Sequence, residues 1–382
     1  MKKSISYALM IGVIGLGALV LHGCKQEEPI MQSEITKKFN IEKVFSERNI
    51  VPVVVIGAGP GGLSAALYSA AQYDTMIVKG QVRPSLLEET SYVDNWLGSP
   101  HELGMVIIER AREQVKSAGA RFVDRNVESV DFKSWPYTIN FDDGESMKAL
   151  AVIVATGAHP RMLNIPGERQ FWGGGGVSAC ARCDAAFYEG QDVVVIGGGD
   201  AAVEEATELA RYAKKVTMLH RRDKLRATAV MQDRLANYPQ IDVKYNTEVK
   251  EIVGDDNGVN GVVLYDNKSG KTYTMPTNGV FLAIGHEPNT ALFKGQLKLD
   301  DEGYVELRGT TREASVTGVF AAGEAADKVY RQAITSAGQG AEAAIEATKF
   351  LESTGFNLQR AEELKKRQKG LPVKDLGEGT SI

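Results

Sequence analysis

The chain has 382 residues, 43% of them hydrophobic and 24% charged, with a formal net charge of −5. That length exceeds one small core and fits about two domains. The mild acidity offers no broad attraction to nucleic acid, and three cysteines cannot build the disulfide framework of a small secreted domain.

In chain order, the N-terminus is a separate segment. Lys2 and Lys3 precede an uncharged run from Ser4 to Cys24 whose apolar stretch spans Ile5 to Leu21. This reads as a signal peptide or a marginally long membrane helix. It ends Leu21-His22-Gly23-Cys24, similar to the lipobox of bacterial lipoproteins, which makes Cys24 a candidate for lipidation; the other reading is a plain anchor with Cys24 incidental. Residues 1–24 are expected to attach the protein to a membrane, and 25–45, polar and charged, to form a tether. The two lysines argue that the body is carried across.

An internal repeat follows. Residues 53–62 read VVVIGAGPGG and residues 193–202 read VVVIGGGDAA, each leading into an Ala-rich helical pattern. Four consecutive β-branched residues mark a buried parallel strand, and strand, glycine turn and helix together open a dinucleotide-binding unit. Between and after these units the pattern changes to short strands, with turn signals at Asp143-Gly144 and at the Asn-Gly pairs 257–258, 260–261 and 278–279. Apolar strands ending in ATG (155–157) and AIG (283–285) occupy equivalent points of the two repeats. The expected fold is α/β: two Rossmann-like dinucleotide-binding domains of three-layer β-β-α architecture.

The two glycine turns differ in kind. In the first, Gly57 makes the turn, Gly59 lets a pyrophosphate reach backbone, and Gly62 allows helix packing, with the phosphates at the helix N-terminus. The second has Gly197, Gly199, Asp200 and Ala201, with Ala202 as the permitted third small residue. After its second strand come His220, Arg221, Arg222 and Arg226, where a carboxylate would hold a ribose 2′-hydroxyl. Arginine forks suit a 2′-phosphate, which argues for NADPH over NADH; a solvated basic face is the plainer reading. Lys79 stands at the corresponding point of the first repeat and leaves that nucleotide open.

Cys180 and Cys183 are spaced C-x-x-C and followed by Asp184. Zinc would need two further ligands, and neither a second cysteine pair nor a histidine pair is present, so no metal is expected. A structural disulfide closing three residues removes little chain entropy. A redox-active pair is the better reading: Arg182 between the thiols favours the thiolate, and Asp184 can move the proton of thiol–disulfide exchange or, alternatively, act as a turn residue. NADPH delivers a hydride and a dithiol exchanges electrons through sulfur, so a flavin is the expected mediator and FAD the expected occupant of the first turn.

With these motifs quoted, the chain resembles the low-molecular-weight thioredoxin reductases over about residues 50 to 355. The segments that carry the resemblance are GAGPGGLSAALYSA, the DNW near residue 95, ATGA, SACARCD, VVVIGGGDAAVEEA, HRRDKLRA, AIGHEPNT and VFAAGEAADKVYRQAITSAGQG. It implies a discontinuous FAD domain, 46–160 and 287–355, an NADPH domain, 161–286, and a charged C-terminal tail, 356–382. It also implies Cys183 beside the flavin, Cys180 as the sulfur that attacks the partner, and Asp184 as the acid. Asn95, Gly323, Glu324, Arg331, Gln332 and Ala333 would meet the flavin or its ribityl chain. The partner would be thioredoxin or a thioredoxin-like protein, the assembly a homodimer, and the two domains would rotate about hinges near 158–163 and 284–288.

Three departures stand out. PSLL (84–87) replaces a Gly-Gly-Gln segment, Glu324 replaces the aspartate after Gly323, and Ala185 replaces the glycine after the dithiol motif. The competing readings are a membrane-tethered flavin and NADPH redox sensor without full turnover, or a reductase of a peroxiredoxin. NADPH as reductant places the catalytic body in the cytoplasm, against the two N-terminal lysines, so the side of the membrane stays open.

Overall fold

The computed structural model describes residues 39–368 except 48, 82, 83 and 91. The segment 1–24, with Cys24, lies outside the described residues. Among the described residues no helix is long and apolar enough to cross a membrane.

Both VVVI runs are buried parallel strands at the centre of their sheets. In the first, Ile50–Ile56 lies between Thr75–Val78 and Ser146–Val154, parallel to each. Arg121–Val123 extends one side. On the other, Ser146–Val154 pairs antiparallel with Tyr137–Phe141 through its first half and parallel with Val319–Ala321 through its second. A strand from the far end of the chain thus completes the first unit. In the second, Asp192–Gly197 is flanked by Lys215–Leu219 and Gly279–Ala283, with Ile241–Lys244 and Val177–Ser178 at the edges.

Side-chain alternation explains why these strands are apolar at every position. Val193 and Val195 face a core shared with the helix Asp200–Leu209. Val194 and Ile196 face the opposite core, shared with the antiparallel sheet Thr247–Asp255, Gly258–Asp266 and Lys271–Pro276. The second central sheet thus carries a helix on one face and a small antiparallel sheet on the other, whereas in the first unit the antiparallel strands Val127–Asp131 and Tyr137–Phe141 continue the same sheet. The predicted hairpin at 257–258 is present one residue earlier: Asp256 and Asn257 make the turn, and Gly258, with φ 110°, opens the next strand opposite Asp255; Gly144 turns with φ 81°. The pair at 260–261 is no turn: Gly261 lies within a strand, paired with both Val253 and Pro276. The third pair, at 278–279, leads into Gly279–Ala283.

The first unit is larger than the sequence suggests. Phe39 is 2% exposed and meets Trp135 and Phe350 edge-on, while Val44 is fully buried. The expected tether therefore ends before residue 39. The expected tail also begins later than 356. Phe356 is buried under Tyr73, whose hydroxyl donates to its carbonyl, and the helix Leu358–Gln368 buries Leu364. Arg360 reaches Glu42 at 2.9 Å, and both Arg360 and Arg367 lie over the ring of Phe45. Charge-rich composition masked these anchors, because one or two apolar side chains suffice to dock a short segment.

The two units join through two chain crossings that pair as a ribbon: Ala158–Pro160 lies antiparallel to His286–Pro288, and the N–H of Arg161 donates to the carbonyl of Gly285. These are the segments expected to act as hinges.

Phe39→Ala is expected to destabilise the protein by about 3–5 kcal/mol, as aromatic truncations in packed cores do. A chain starting at residue 46 should show a comparable loss in a denaturant melt, and one starting at residue 39 should melt like the full chain.

Candidate active site

One cavity of about 1140 Å³ runs between the units. On one side it is lined by Gly57 to Gly61, Lys79, Thr156 and the segment Ala322–Glu324; on the other by Cys180, Cys183, Asp184, Glu204 and Glu205. Arg331, Gln332 and Ala333 close it from the start of the long helix Ala333–Ser353.

The first glycine turn is tight by necessity. Gly57 has φ 112°, and a Cβ there would strike the carbonyl of Ala155. A Cβ on Gly62 would strike the carbonyl of Gly57, so Gly62 seats the helix Pro60–Ala70 on the turn. Gly59 is the N-cap of that helix and has no side-chain cap, which leaves the first amide groups open toward the cavity. Gly340 on Ala333–Ser353 lies so close to Gly61 that a Cβ would strike its carbonyl. This contact brings Arg331–Ala333 to the turn.

The donor set suits a dinucleotide with a hydroxylated chain. The Thr156 hydroxyl is buried without a partner among the described residues. Glu324 accepts no hydrogen bond from a described side chain, and burial pushes its carboxyl up to about 7, opposed by Arg331 and reinforced by Asp327. Asn95 does not line the cavity; its amide donates to Gln332, which does, at 3.2 Å. Arg331 adopts φ 48° and stands 2.6 Å from Nδ1 of His286 in the joining ribbon. Burial and the Arg331 charge hold His286 down to about 4, so that ring is neutral.

The departures are locally accommodated. Pro84 to Leu87 form cavity wall: Ser85 caps the short helix Leu86–Glu89 in a reciprocal box with Glu88, which Arg112 holds at 2.5 Å. Ala185 has right-handed helical angles, φ −57° and ψ −34°, and is buried, so no glycine is required there.

Cys180 and Cys183 are joined as a disulfide, with Cα atoms 5.3 Å apart, at the start of the short helix Ala181–Asp184. Cys180 caps it: its sulfur accepts the N–H of Cys183 at 3.2 Å, and its own N–H donates to Ser178 Oγ at 3.0 Å. Burial raises the Asp184 carboxyl above the ordinary range, with a Ser178 hydrogen bond opposing. A carboxyl whose proton is held more tightly than usual suits a group that donates to a leaving thiolate.

The second glycine turn is not part of this cavity. Gly197 and Gly199 lie at the end of Asp192–Gly197, with Asp200 and Ala201 opening the next helix and Asp200 accepting the N–H of Thr228 at 2.7 Å. A Cβ on Gly197 would strike the carbonyl of Ala283; one on Gly199 meets nothing. Arg222 and Arg226 are exposed without a carboxylate partner among the described residues, and the exposed Arg221 lies near Glu248. His220 departs from its expected place among the phosphate ligands. It is 6% exposed beneath the turn, its Nδ1 is 3.2 Å from the Gly197 carbonyl, and burial lowers its pKa.

Three contributors carry no assigned role in the sequence reading. Gly198 has no room for a Cβ because His220 fills the space below it. Thr156 sits inside the ATG segment. Glu205 lies between Ala202, Val203, Ala206 and Leu209 on the buried side of its helix; a carboxylate on an apolar face was its only sequence signal.

Comparison with known proteins agrees with this geometry. Residues 51–340 match the family model described as pyridine nucleotide-disulphide oxidoreductase. The thioredoxin reductase of Streptomyces clavuligerus is 44% identical over 313 residues, 81% of this chain and 97% of that protein. The thioredoxin reductase structure from Giardia duodenalis superposes with a TM-score of 0.76 at 39% identity, covering 80% of this chain and all of that one. A glucosaminate ammonia-lyase of Pseudomonas fluorescens is also 43% identical over 320 residues, 81% of this chain and 98% of that protein. The chain belongs to the thioredoxin reductase family of pyridine nucleotide-disulphide oxidoreductases.

Gly197→Ala is expected to lower the melting temperature, because the added Cβ meets backbone. Gly199→Ala should melt like wild type yet bind NADPH at least ~10-fold more weakly, since it intrudes only where a pyrophosphate would approach the turn. Equal nucleotide affinity for Gly199→Ala and wild type, by calorimetry, would remove that turn from the nucleotide site.

Proposed function

We propose that the protein is an NADPH-dependent flavoprotein that reduces thioredoxin or a thioredoxin-like protein through Cys180 and Cys183. The observation that carries this reading is the single cavity shared by the disulfide, Asp184, the Gly57–Gly61 turn and the Gly323–Ala333 segment. Family membership supports it. An ammonia-lyase name at comparable identity adds no feature that would account for the disulfide.

The residues divide the work. Gly57, Gly59 and Gly62 shape the seat for the FAD pyrophosphate; Thr156, Glu324, Arg331, Gln332 and Ala333, with Asn95 behind Gln332, hold the rest. Gly197, Gly199, Asp200 and Ala201 receive NADPH, and Arg221, Arg222 and Arg226 grip its 2′-phosphate, with His220 bracing the turn from below. What bound FAD supplies is conversion of a nicotinamide hydride into two electrons at sulfur. Once the pair is reduced, the Cys180 thiolate attacks the partner disulfide and forms a mixed disulfide. Asp184 gives its proton to the departing partner sulfur. The Cys183 thiol then passes its proton back to the Asp184 carboxylate and attacks Cys180 Sγ, which re-forms the internal disulfide and releases the second partner sulfur as a thiolate.

The second turn and the dithiol share a unit, but only the dithiol lines the cavity. Turnover on this reading requires rotation of the units about the 158–160 and 286–288 ribbon. Membrane attachment through residues 1–24 and a homodimeric assembly complete the proposal; the apolar run from Ile5 to Leu21 supports the first and family membership the second. Membrane fractionation of wild type and a chain starting at residue 25, and sedimentation of the latter, test the two.

The deciding experiment is anaerobic NADPH titration of residues 25–382 loaded with FAD, followed by turnover with thioredoxin. About two hydride equivalents are expected, one each for flavin and dithiol. One equivalent without turnover would favour a redox sensor. Arg222→Ala and Arg226→Ala should each lower kcat/KM for NADPH by about 10- to 100-fold, the worth of a charged hydrogen bond, and leave that for NADH nearly unchanged.

A further inference from the structure

Glu205 is a titratable group inside the cavity that the chemistry above does not use. It stands on the helix Asp200–Leu209, and its Oε2 accepts the backbone N–H of Ala181, the residue after Cys180. A side chain of the nucleotide-side helix thus fastens the turn that carries the disulfide. Burial pushes the carboxyl up to about 7; the Ala181 N–H, Arg331 and Arg182 oppose this and Glu204 adds to it. Asp184 on the disulfide turn, Glu208 on the same helix and Arg234 from the helix Ala229–Leu235 line the same cavity, and Lys79, Glu88, Glu89, Arg112, Arg161, Arg169, Glu287 and Glu324 line its other walls.

We infer that Glu205 is a positioning residue for the dithiol, holding the turn while the disulfide is intact and taking up a proton when the disulfide is reduced. The balance is simple. Two electrons and one proton convert the disulfide to one thiol and one thiolate, the electrons coming from NADPH under the proposed function. The thiolate is a new anion beside the Ala181 amide to which Glu205 is bound. Two like charges in a half-buried site raise each other's proton affinity, so the Glu205 carboxylate takes one further proton from solvent. A carboxylic acid still offers a carbonyl oxygen to Ala181, and the turn stays fastened.

The sign follows. Below about 7 Glu205 already carries its proton in the disulfide form, and reduction changes nothing there. Above it the disulfide form has lost the proton and the reduced form regains it, so rising pH opposes reduction.

The inference rests on the proposed dithiol but not on the nicotinamide. The FAD-loaded protein is equilibrated with dithiothreitol buffers of fixed ratio, and thiol content is read by alkylation mass. The wild-type equilibrium constant divided by that of Glu205→Gln should fall as pH rises above neutrality, by up to about tenfold per pH unit. Glutamine keeps an acceptor for Ala181 and cannot titrate, so a purely structural role predicts parallel profiles, and parallel profiles overturn the inference. Glu205→Asp keeps a titrating carboxyl and should recover the wild-type slope; Glu205→Ala, which cannot titrate, carries the comparison with wild type if the glutamine variant does not fold. Because dithiothreitol supplies the electrons here, a failed NADPH titration would neither imitate nor erase the result.

Discussion

The constraint on which the first unit's site depends is the approach of two helices at Gly61 and Gly340, where a single Cβ would meet backbone. Ala65, Ala66, Ala343, Ala344 and Ala347 continue the buried seam. The two helices begin more than 270 positions apart, and their packing is what places Arg331, Gln332 and Ala333 at the Gly57–Gly59 turn. Larger side chains would hold the helices 8–10 Å apart at their axes, the ordinary packing distance, and the cradle would open. The first unit therefore needs both ends of the chain before it has a site at all.

The second unit is built from one continuous stretch and carries both of its functional groups, the dithiol and the second glycine turn, on the same body. They nevertheless face different surroundings. The dithiol turn is tied from within by Ser178, by Cys180 as its own cap and by Glu205. The second turn is open where Gly199 lacks a neighbour and closed beneath, where His220 supports it. The dithiol turn and the second glycine turn share one scaffold because the helix Asp200–Leu209 presents its first residues to the glycine turn and Glu205 to the dithiol turn.

Titration in the cavity follows burial more than pairing. Asp184, Glu205 and Glu324 all have raised pKa values with desolvation as the leading cause, and each lies within reach of only partial compensation from an arginine or a hydroxyl. Three carboxyls with raised proton affinity around one space fit chemistry in which sulfur gains and loses protons with electrons. Arg331 and His286 link that space to the ribbon between the units, the place where movement would be felt.

Much of this was legible in the sequence. The VVVI runs, their glycine turns and the C-x-x-C-D motif are local patterns, because strand burial, tight turns and dithiol spacing are set by residues within about ten positions of one another. Recognition of the family added the expectation that two separate stretches build the first unit, and Val319–Ala321 does pair beside Ser146–Val154. What the linear order could not determine depended on distant partners. Phe39 and Leu364 dock because Trp135, Phe350 and Phe45 are there to receive them, against the charge-rich composition of their own segments. His220 left the phosphate site because the space under Gly198 was the right size for a ring. Gly261 stayed in a strand because both neighbouring strands paired with it. Glu205 became part of the site only when its helix turned it toward Ala181. Sequence alone determined which chemistry this chain carries; tertiary packing decided which groups share a cavity, since burial and contact depend on neighbours that sequence separation hides.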